Sequence, residues 1–147
     1  MNTAHKIFEY QTKGLLEFID ITDQVKAFLK ESGVQNGFVN IQTLHTTAAI
    51  ILNENEPLLI EDFKNHLKEI APLGLPYNHD DFSKRTVNLC DDECINGHSH
   101  CKAIHLPVNI TLNLINGELQ LGQWQRIMFL ELDKPRKRKV QILVMGE

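Results

Sequence analysis

The apolar run at residues 48–52, with the sequence AAIIL, constrains the fold more than any other part of the chain. A continuous apolar run of this length is typical of a strand that is buried on both faces. Pro57 follows shortly afterwards and suits the first turn of a helix, where its missing N–H is not needed. We therefore expect a central strand and then a helix that ends near Ile70.

Two alternating segments near the N-terminus, residues 7–12 and 15–21, predict strands that form a hairpin. A helical repeat of apolar residues follows, with Thr22 as its N-cap and Gly33 at its C-cap position. Residues 37–44 alternate again. The first third of the chain therefore predicts two strands, a helix and a third strand.

Three segments near the C-terminus predict a meander of antiparallel strands. Residues 109–113 alternate, and Asn116-Gly117 is a strong type I′ turn signal that leads into one long strand over residues 119–132. Residues 140–144 predict the closing strand. The C-terminal part therefore adds three strands to the sheet.

These elements and a short third helix, capped by Asn96, predict an α+β fold with mainly antiparallel or mixed β-sheet and two main helices. A length of 147 residues suits one domain, which we expect to span residues 1–147.

The net charge of −4 indicates no nucleic-acid partner. No apolar stretch reaches the roughly 18 residues that span a bilayer, so we expect no membrane partner. The N-terminus lacks a signal-peptide core, which favours a cytoplasmic protein.

The only strongly basic run, residues 134–139, has two interpretations. It can be a solvated turn between two strands. Alternatively, Arg136 points into a binding site and holds an anion, as guanidinium groups commonly do.

Three of the seven histidines lie where binding residues are commonly displayed. His45 follows a predicted strand, His79 lies in an irregular loop, and His100, or alternatively His98, lies on the predicted short helix. Three imidazoles can bind Zn²⁺ or a similar ion and leave a coordination position open. However, the three residues are far apart in sequence, so their spacing does not support a metal over ordinary hydrogen bonds.

Polar residues near these histidines could supply further functions. Thr46 and Thr47 offer hydroxyl groups that would suit a phosphate. Glu54 and Asp62 could act as general bases, hold Mg²⁺ or orient a histidine. Asp62 lies on the apolar side of the helix pattern, so we expect it to be buried toward the site.

These residues together resemble the YjbQ family, which is also described as the secondary thiamine-phosphate synthase family. The resemblance runs in order through nearly the whole chain. It rests on HTTAAIILNEN at residues 45–55, Asp62, YNHD at residues 77–80, HCKA at residues 100–103, GELQLGQWQ at residues 117–125, Glu131 and the arginine-rich turn before the C-terminus.

The patterns and the resemblance together define a predicted site with three parts. The predicted metal ligands, for Zn²⁺ or Mg²⁺, are His45, His79 and His100. The predicted catalytic residues are Asp62, Glu54 and Lys102. The predicted substrate-binding residues are Thr46, Thr47, Trp124, Gln125 and Arg136.

The resemblance implies a homotrimer with its sites at subunit interfaces. It also implies a secondary activity that joins a hydroxyethylthiazole phosphate to a pyrimidine pyrophosphate and releases pyrophosphate. We therefore expect a metal-dependent enzyme that acts on a phosphorylated small molecule, with its physiological role open. The alternative is a protein that binds a metal or a metabolite without converting it.

Overall fold

The structure, a computed structural model, describes all residues from Met1 to Glu147. Its strands are β1 (Asn2–Gln11), β2 (Glu17–Asp20), β3 (Gly37–Thr43), β4 (Ala48–Asn53), β5 (Asn109–Ile115), β6 (Glu118–Leu119), β7 (Arg126–Glu131) and β8 (Lys137–Gly146). Its helices are α1 (Thr22–Ser32), α2 (Pro57–Ile70) and α3 (Gly97–Ala103), with a single 3₁₀ turn at Asn78–Asp80. The predicted α+β class and its three helices are confirmed.

The strands form two sheets in which every pair is antiparallel. The larger sheet has the order β1-β8-β3-β5-β6, and the smaller has the order β2-β7-β4. None of the helices has the length and apolar character to cross a bilayer.

The smaller sheet is covered on both of its faces. On one face, Ile50 and Phe129 join a core with residues of α1 and of the larger sheet. On the other face, Ala49 packs with Leu67 of α2 and Ala103 of α3. Because successive side chains of a strand point to opposite faces, β4 contributes to both clusters. The strand buried on both faces that the apolar run predicts is therefore confirmed.

The two main helices begin and end close to the predicted residues. Gly33 ends α1 in the left-handed conformation, with φ of 72°. Pro57 opens α2, and the Glu56 carboxylate accepts hydrogen bonds from the first backbone N–H groups of that helix. Thr22 is not the N-cap of α1 but its first residue, and its hydroxyl accepts a hydrogen bond from Ile127 N at 2.8 Å.

The predicted N-terminal hairpin is wrong, because β1 and β2 belong to different sheets. β1 pairs with β8, and β2 pairs with β7. Thr12 lies between the two strands, is buried, and donates a hydrogen bond to Glu131 Oε2 at 2.9 Å. The connection therefore crosses from one sheet to the other instead of closing a turn.

The predicted long strand and the C-terminal meander are also wrong. Asn116-Gly117 does form the predicted turn, with φ of 53° and 75°, and joins β5 to β6. After β6 the chain leaves the larger sheet, and β7 lies in the smaller one. In the connecting segment, Gln125 Oε1 accepts a hydrogen bond from Gly122 N at 2.8 Å. This turn, at the glycine within the predicted strand, accompanies the change of sheet.

Candidate functional site

A polar cleft of about 850 Å³ lies at the end of β3, against α3 and the loop before it. We call it the His–Arg cleft. It is lined by Leu44, His45, Thr46, Thr47, Asn78, His79, Arg85, Val87, Asn88, Glu93, Asn96, His100, Arg136 and Arg138. All three predicted histidines line it, as do three of the five predicted substrate-binding residues.

His45 follows β3 and uses one ring nitrogen within the protein. Its Nε2 accepts a hydrogen bond from the backbone N–H of Lys139 at 2.7 Å. Burial lowers the pKa of His45, and the nearby charge of Arg138 lowers it further. A neutral imidazole that accepts at Nε2 carries its proton at Nδ1, so His45 is a hydrogen-bond donor through Nδ1.

His79 and His100 form a pair of adjacent imidazoles. His79 lies in the 3₁₀ turn and His100 on α3, and their ring centroids are 4.6 Å apart in an edge-to-face arrangement. Asp80 Oδ1 joins the two elements by accepting hydrogen bonds from Asn96 N and Gly97 N, at 2.9 and 2.8 Å. Burial and the neighbouring His79 lower the pKa of His100.

Arg138, which the sequence analysis missed, is held by a buried carboxylate. Its Nε donates to Glu131 Oε2 at 2.6 Å, and its Nη2 donates to Glu131 Oε1 and to Thr47 Oγ1. The Thr47 hydroxyl is therefore already hydrogen-bonded to Arg138, whereas Thr46 is exposed in the cleft. The sequence does contain a pattern that could have identified Arg138. Residues alternate along β8, and Arg138 shares the buried face of that strand with Val140 and Ile142.

Arg136 and Asn96 share one acceptor. Asp133 is buried, and its Oδ2 accepts from Arg136 Nη2 at 2.6 Å and from Asn96 Nδ2 at 3.1 Å. The basic run is thus only partly a solvated turn, because Arg136 and Arg138 both turn into the cleft. The interpretation that placed Arg136 in a site agrees with this geometry.

Arg85 and Glu93 come from the irregular loop before α3 and form the outer part of the cleft. Arg85 Nη2 donates to Glu93 Oε2 at 3.2 Å and to Asn88 O at 2.7 Å. A polar loop of this length is often functional, but nothing in its sequence singles out this arginine and this glutamate as a pair.

Three polar atoms of lining residues are buried and have no hydrogen-bond partner. They are Arg85 Nη1, Arg136 Nε and Asn96 Oδ1. An unpaired buried polar group costs about 1–3 kcal/mol, so such groups in a native protein call for an explanation such as a bound water, ion or ligand. Two of the three are guanidinium N–H donors, which suit an anion.

Four predicted site residues lie outside the cleft of their own chain: Glu54, Asp62, Trp124 and Gln125. Asp62 is exposed, so its predicted burial is wrong. At 3.6 residues per turn, Asp62 lies about 200° around α2 from the buried Ile60. Trp124 is 65% exposed and lies with Gln125 in the connection before β7.

Lys102 also lies outside the cleft and is only 1% exposed. Its Nζ donates to Ala71 O at 2.5 Å, just after α2, and contacts His98 Nδ1 at 3.1 Å. Burial lowers the pKa of Lys102. The side chain thus joins α3 to the end of α2 and does not reach a molecule in the cleft.

The three predicted metal ligands do not converge as a three-ligand site. No group of three His, Cys, Asp or Glu side chains is arranged to hold a metal ion. His79 and His100 are adjacent, but His45 uses its Nε2 lone pair for the backbone N–H of Lys139. Within one chain, the residues fit a two-imidazole contact better than a complete metal centre.

The family of the chain follows from comparison with known proteins. The family model described as UPF0047 protein YjbQ-like matches residues 6–147. The chain belongs to the YjbQ family. A UPF0047 protein of Methanothermobacter thermautotrophicus is 38% identical over 137 residues, which cover 93% of this chain and 88% of that protein. The UPF0047 protein YugU of Bacillus subtilis is 34% identical, with 96% and 98% covered.

Solved structures of YjbQ-like proteins share the fold. A YbjQ-like protein of unknown function from Sulfolobus solfataricus is 34% identical and superposes with a TM-score of 0.86, over 99% of this chain and 98% of that one. A hypothetical protein from Aeropyrum pernix is 33% identical, also with a TM-score of 0.86, over 98% and 99%. The resemblance to the YjbQ family and the α+β fold are therefore confirmed.

Proposed function

We propose that this YjbQ-family protein binds the phosphate group of a small molecule in the His–Arg cleft. The observation that carries the proposal is the pair of guanidinium N–H donors without partners, Arg85 Nη1 and Arg136 Nε, which are buried within two arginines that line one cleft. Guanidinium groups bind phosphate oxygens through short, charge-assisted hydrogen bonds.

The carboxylates near the arginines do not cancel this preference. Glu131 and Asp133 lie behind Arg138 and Arg136 and are almost fully buried, with side chains 0% and 4% exposed. They orient the guanidinium groups, whose other N–H groups are left for a ligand. Donors held in place in this way stabilise an anion without reorganisation when it binds.

The finer part of the proposal is catalysis. Adjacent His79 and His100, both in the cleft, could transfer a proton to or from a bound substrate. In the thiamine-phosphate synthase-like reaction, the bond to pyrophosphate breaks and the thiazole nitrogen forms the new carbon–nitrogen bond. The three arginines would neutralise the pyrophosphate that leaves with the electron pair. A divalent ion, where one binds, would contact His79 and His100 and would neutralise further charge.

We also propose that the protein is a homotrimer in which subunits share their clefts. This proposal rests on the family resemblance and on the exposed position of Asp62, which does not line its own cleft. Leu58, one turn earlier on α2, is 75% exposed, and a partner subunit would cover it.

Sedimentation should give three times the chain mass. Mixed His100→Ala and Asp62→Ala chains should recover activity that neither has alone, if Asp62 completes a partner's site.

The binding proposal is tested by titrating inorganic phosphate and pyrophosphate into the protein by calorimetry. Arg136→Gln should weaken binding about tenfold or more, because a hydrogen bond to a charged group contributes about 1.5–3 kcal/mol. Arg126→Gln is the matched control, since both arginine side chains are 34% exposed and paired with an aspartate. Equal affinity of the two variants would contradict the proposal.

The catalytic part needs a separate measurement. The protein is incubated with hydroxyethylthiazole phosphate and the pyrimidine pyrophosphate, and released pyrophosphate is followed in the wild type and in His100→Ala. Elemental analysis of the same samples tests the metal. If phosphate binds but no product forms and both samples hold the same metal, the protein is a binding protein and the catalytic part is wrong.

A further inference from the structure

We infer that the ligand of the His–Arg cleft is a phosphate ester of a polyhydroxylated compound, such as a sugar or polyol phosphate. This inference rests on the proposed function and names the chemistry of the part of the ligand that is not phosphate. It follows from the size of the cleft, from the polarity of its lining and from one buried acceptor.

The cleft is much larger than a phosphate ion. Its volume of about 850 Å³ lies in the range of roughly 300–1,000 Å³ that is usual for pockets that hold whole small molecules. If the phosphate contacts Arg85 and Arg136, most of the remaining wall faces the body of the ligand. The side chains of that wall therefore determine which bodies fit.

Most residues that line the cleft carry polar or charged side chains. Within one chain, Leu44 and Val87 are its only apolar residues, and no Phe, Tyr or Trp lines it. Small-molecule pockets are usually lined mainly by apolar and aromatic side chains. Here the body of the ligand would meet the side chains of Thr46, Asn78 and Asn88. An apolar or aromatic body would cover these groups without satisfying their hydrogen bonds.

Hydroxyl groups match such a wall because each can both donate and accept. An asparagine side chain offers an acceptor and two donors, and Glu93 offers acceptors. A body with several hydroxyl groups could therefore satisfy donors and acceptors along the same surface. A body whose polar groups only donate or only accept could not satisfy both kinds of partner.

Asn96 adds a specific requirement. It is 6% exposed, and its Nδ2 donates to the Asp133 carboxylate, which fixes the orientation of the amide. Asn96 Oδ1 then accepts no hydrogen bond. A fully ionised phosphate has no proton to donate, so a ligand that pairs with this oxygen has to donate from another group. A hydroxyl next to the phosphate ester meets this requirement.

The lining suits the substrates of the proposed synthase reaction less well. The thiazole and pyrimidine rings of that reaction are flat and present few hydroxyl groups. Their phosphate groups could bind the guanidinium groups, but their rings could not satisfy the hydrogen bonds of the other polar side chains. A substrate with several hydroxyl groups would use the whole cleft.

The test compares three probes by calorimetry at pH 8: inorganic phosphate, ribose 5-phosphate and phenyl phosphate. All three are mainly dianions there, so differences in affinity report the body of the molecule. Ribose 5-phosphate should bind at least tenfold more tightly than phenyl phosphate. If phenyl phosphate binds as tightly or more tightly, this inference is overturned while phosphate binding stands. If none of the three binds, the proposed function is overturned as well.

Variants then identify the groups that recognise the body. Asn96→Ala and Asn88→Ala should each reduce the preference for ribose 5-phosphate over phenyl phosphate at least threefold. Asn88 is exposed, so its variant should fold even if the Asn96 variant does not. Asn113→Ala, an exposed asparagine outside the cleft, is the control. An unchanged preference in the folded cleft variants would overturn the inference.

Discussion

Glu131 and Arg138 form a fully buried ion pair directly behind the His–Arg cleft. Arg138 Nε lies 2.6 Å from Glu131 Oε2, and the two side chains are 3% and 0% exposed. Glu131 also accepts from the Thr12 hydroxyl and from Asp133 N, both at 2.9 Å. Since these residues come from different elements, one carboxylate joins β7, β8 and the segment after β1 at the floor of the cleft.

We predict that Glu131→Gln lowers the free energy of unfolding by about 3–5 kcal/mol, because Arg138 would then be a buried charge without a counterion. Urea unfolding of the wild type and the variant measures this difference. Glu61→Gln, which removes one partner of an exposed pair with Lys64, should leave stability almost unchanged. Equal effects of the two substitutions would contradict the structural role of the buried pair.

The sequence specifies the individual strands and helices better than it specifies which strands pair. Most strands and helices could be predicted because apolar periodicity records which face of an element is buried. Pairing partners could not, because alternation does not encode which strand lies alongside. β1 pairs with β8, which is more than a hundred residues away along the chain, rather than with the adjacent β2.

The site shows the same limit. The three histidines could be proposed because strand ends and loops display functional side chains, and the structure places all three in one cleft. Glu54, Asp62 and Lys102 were predicted from residue type, from the helix pattern and from the family resemblance, and none of them lines that cleft. Arg85 and Glu93 come together through the path of an irregular loop, which has no periodicity to interpret.

We predict that Gly97→Ala destabilises the protein by about 1–3 kcal/mol, as expected for overpacking. A Cβ at this position would lie 2.5 Å from Tyr77 Cβ and 3.2 Å from Asp80 Oδ1. Because Asp80 bonds α3 to the 3₁₀ turn with His79, phosphate affinity should fall too. Gly14→Ala is the control, since nothing lies within 4 Å of its Cβ position. Thermal unfolding and phosphate titration of both variants check the prediction, which fails if they behave alike.

We predict that His98 makes the protein less stable as the pH falls below about 6.5. His98 is buried, and burial and then the charge of Lys102 lower its pKa. Between the lowered pKa of the folded state and the ordinary value of the unfolded state, the unfolded chain binds more protons. The stability present above pH 6.5 is therefore lost as the pH falls through this window. In urea unfolding at pH 7.5 and 5.5, His98→Gln should lose less stability than the wild type; an equal loss would contradict the prediction.

We predict that the charge of His100 controls the affinity for sulfate, which stays a dianion between pH 5.5 and pH 7.5. Burial and the neighbouring His79 lower the pKa of His100, so its imidazole is neutral at pH 7.5. As the pH falls through this lowered pKa, His100 gains a proton and can donate a charged hydrogen bond to an anion in the cleft. A charged hydrogen bond is stronger than a neutral one by about 1 kcal/mol, which corresponds to roughly fivefold in affinity.

Sulfate should therefore bind about fivefold more tightly at pH 5.5 than at pH 7.5, and His100→Gln should lose most of this increase while retaining its affinity at pH 7.5. His66→Gln, at an exposed histidine of α2 outside the cleft, should retain the full increase. Calorimetric titrations of the three proteins at both pH values provide the measurement. If His100→Gln shows the same increase as the wild type, the imidazole that titrates is not His100 and the prediction is wrong.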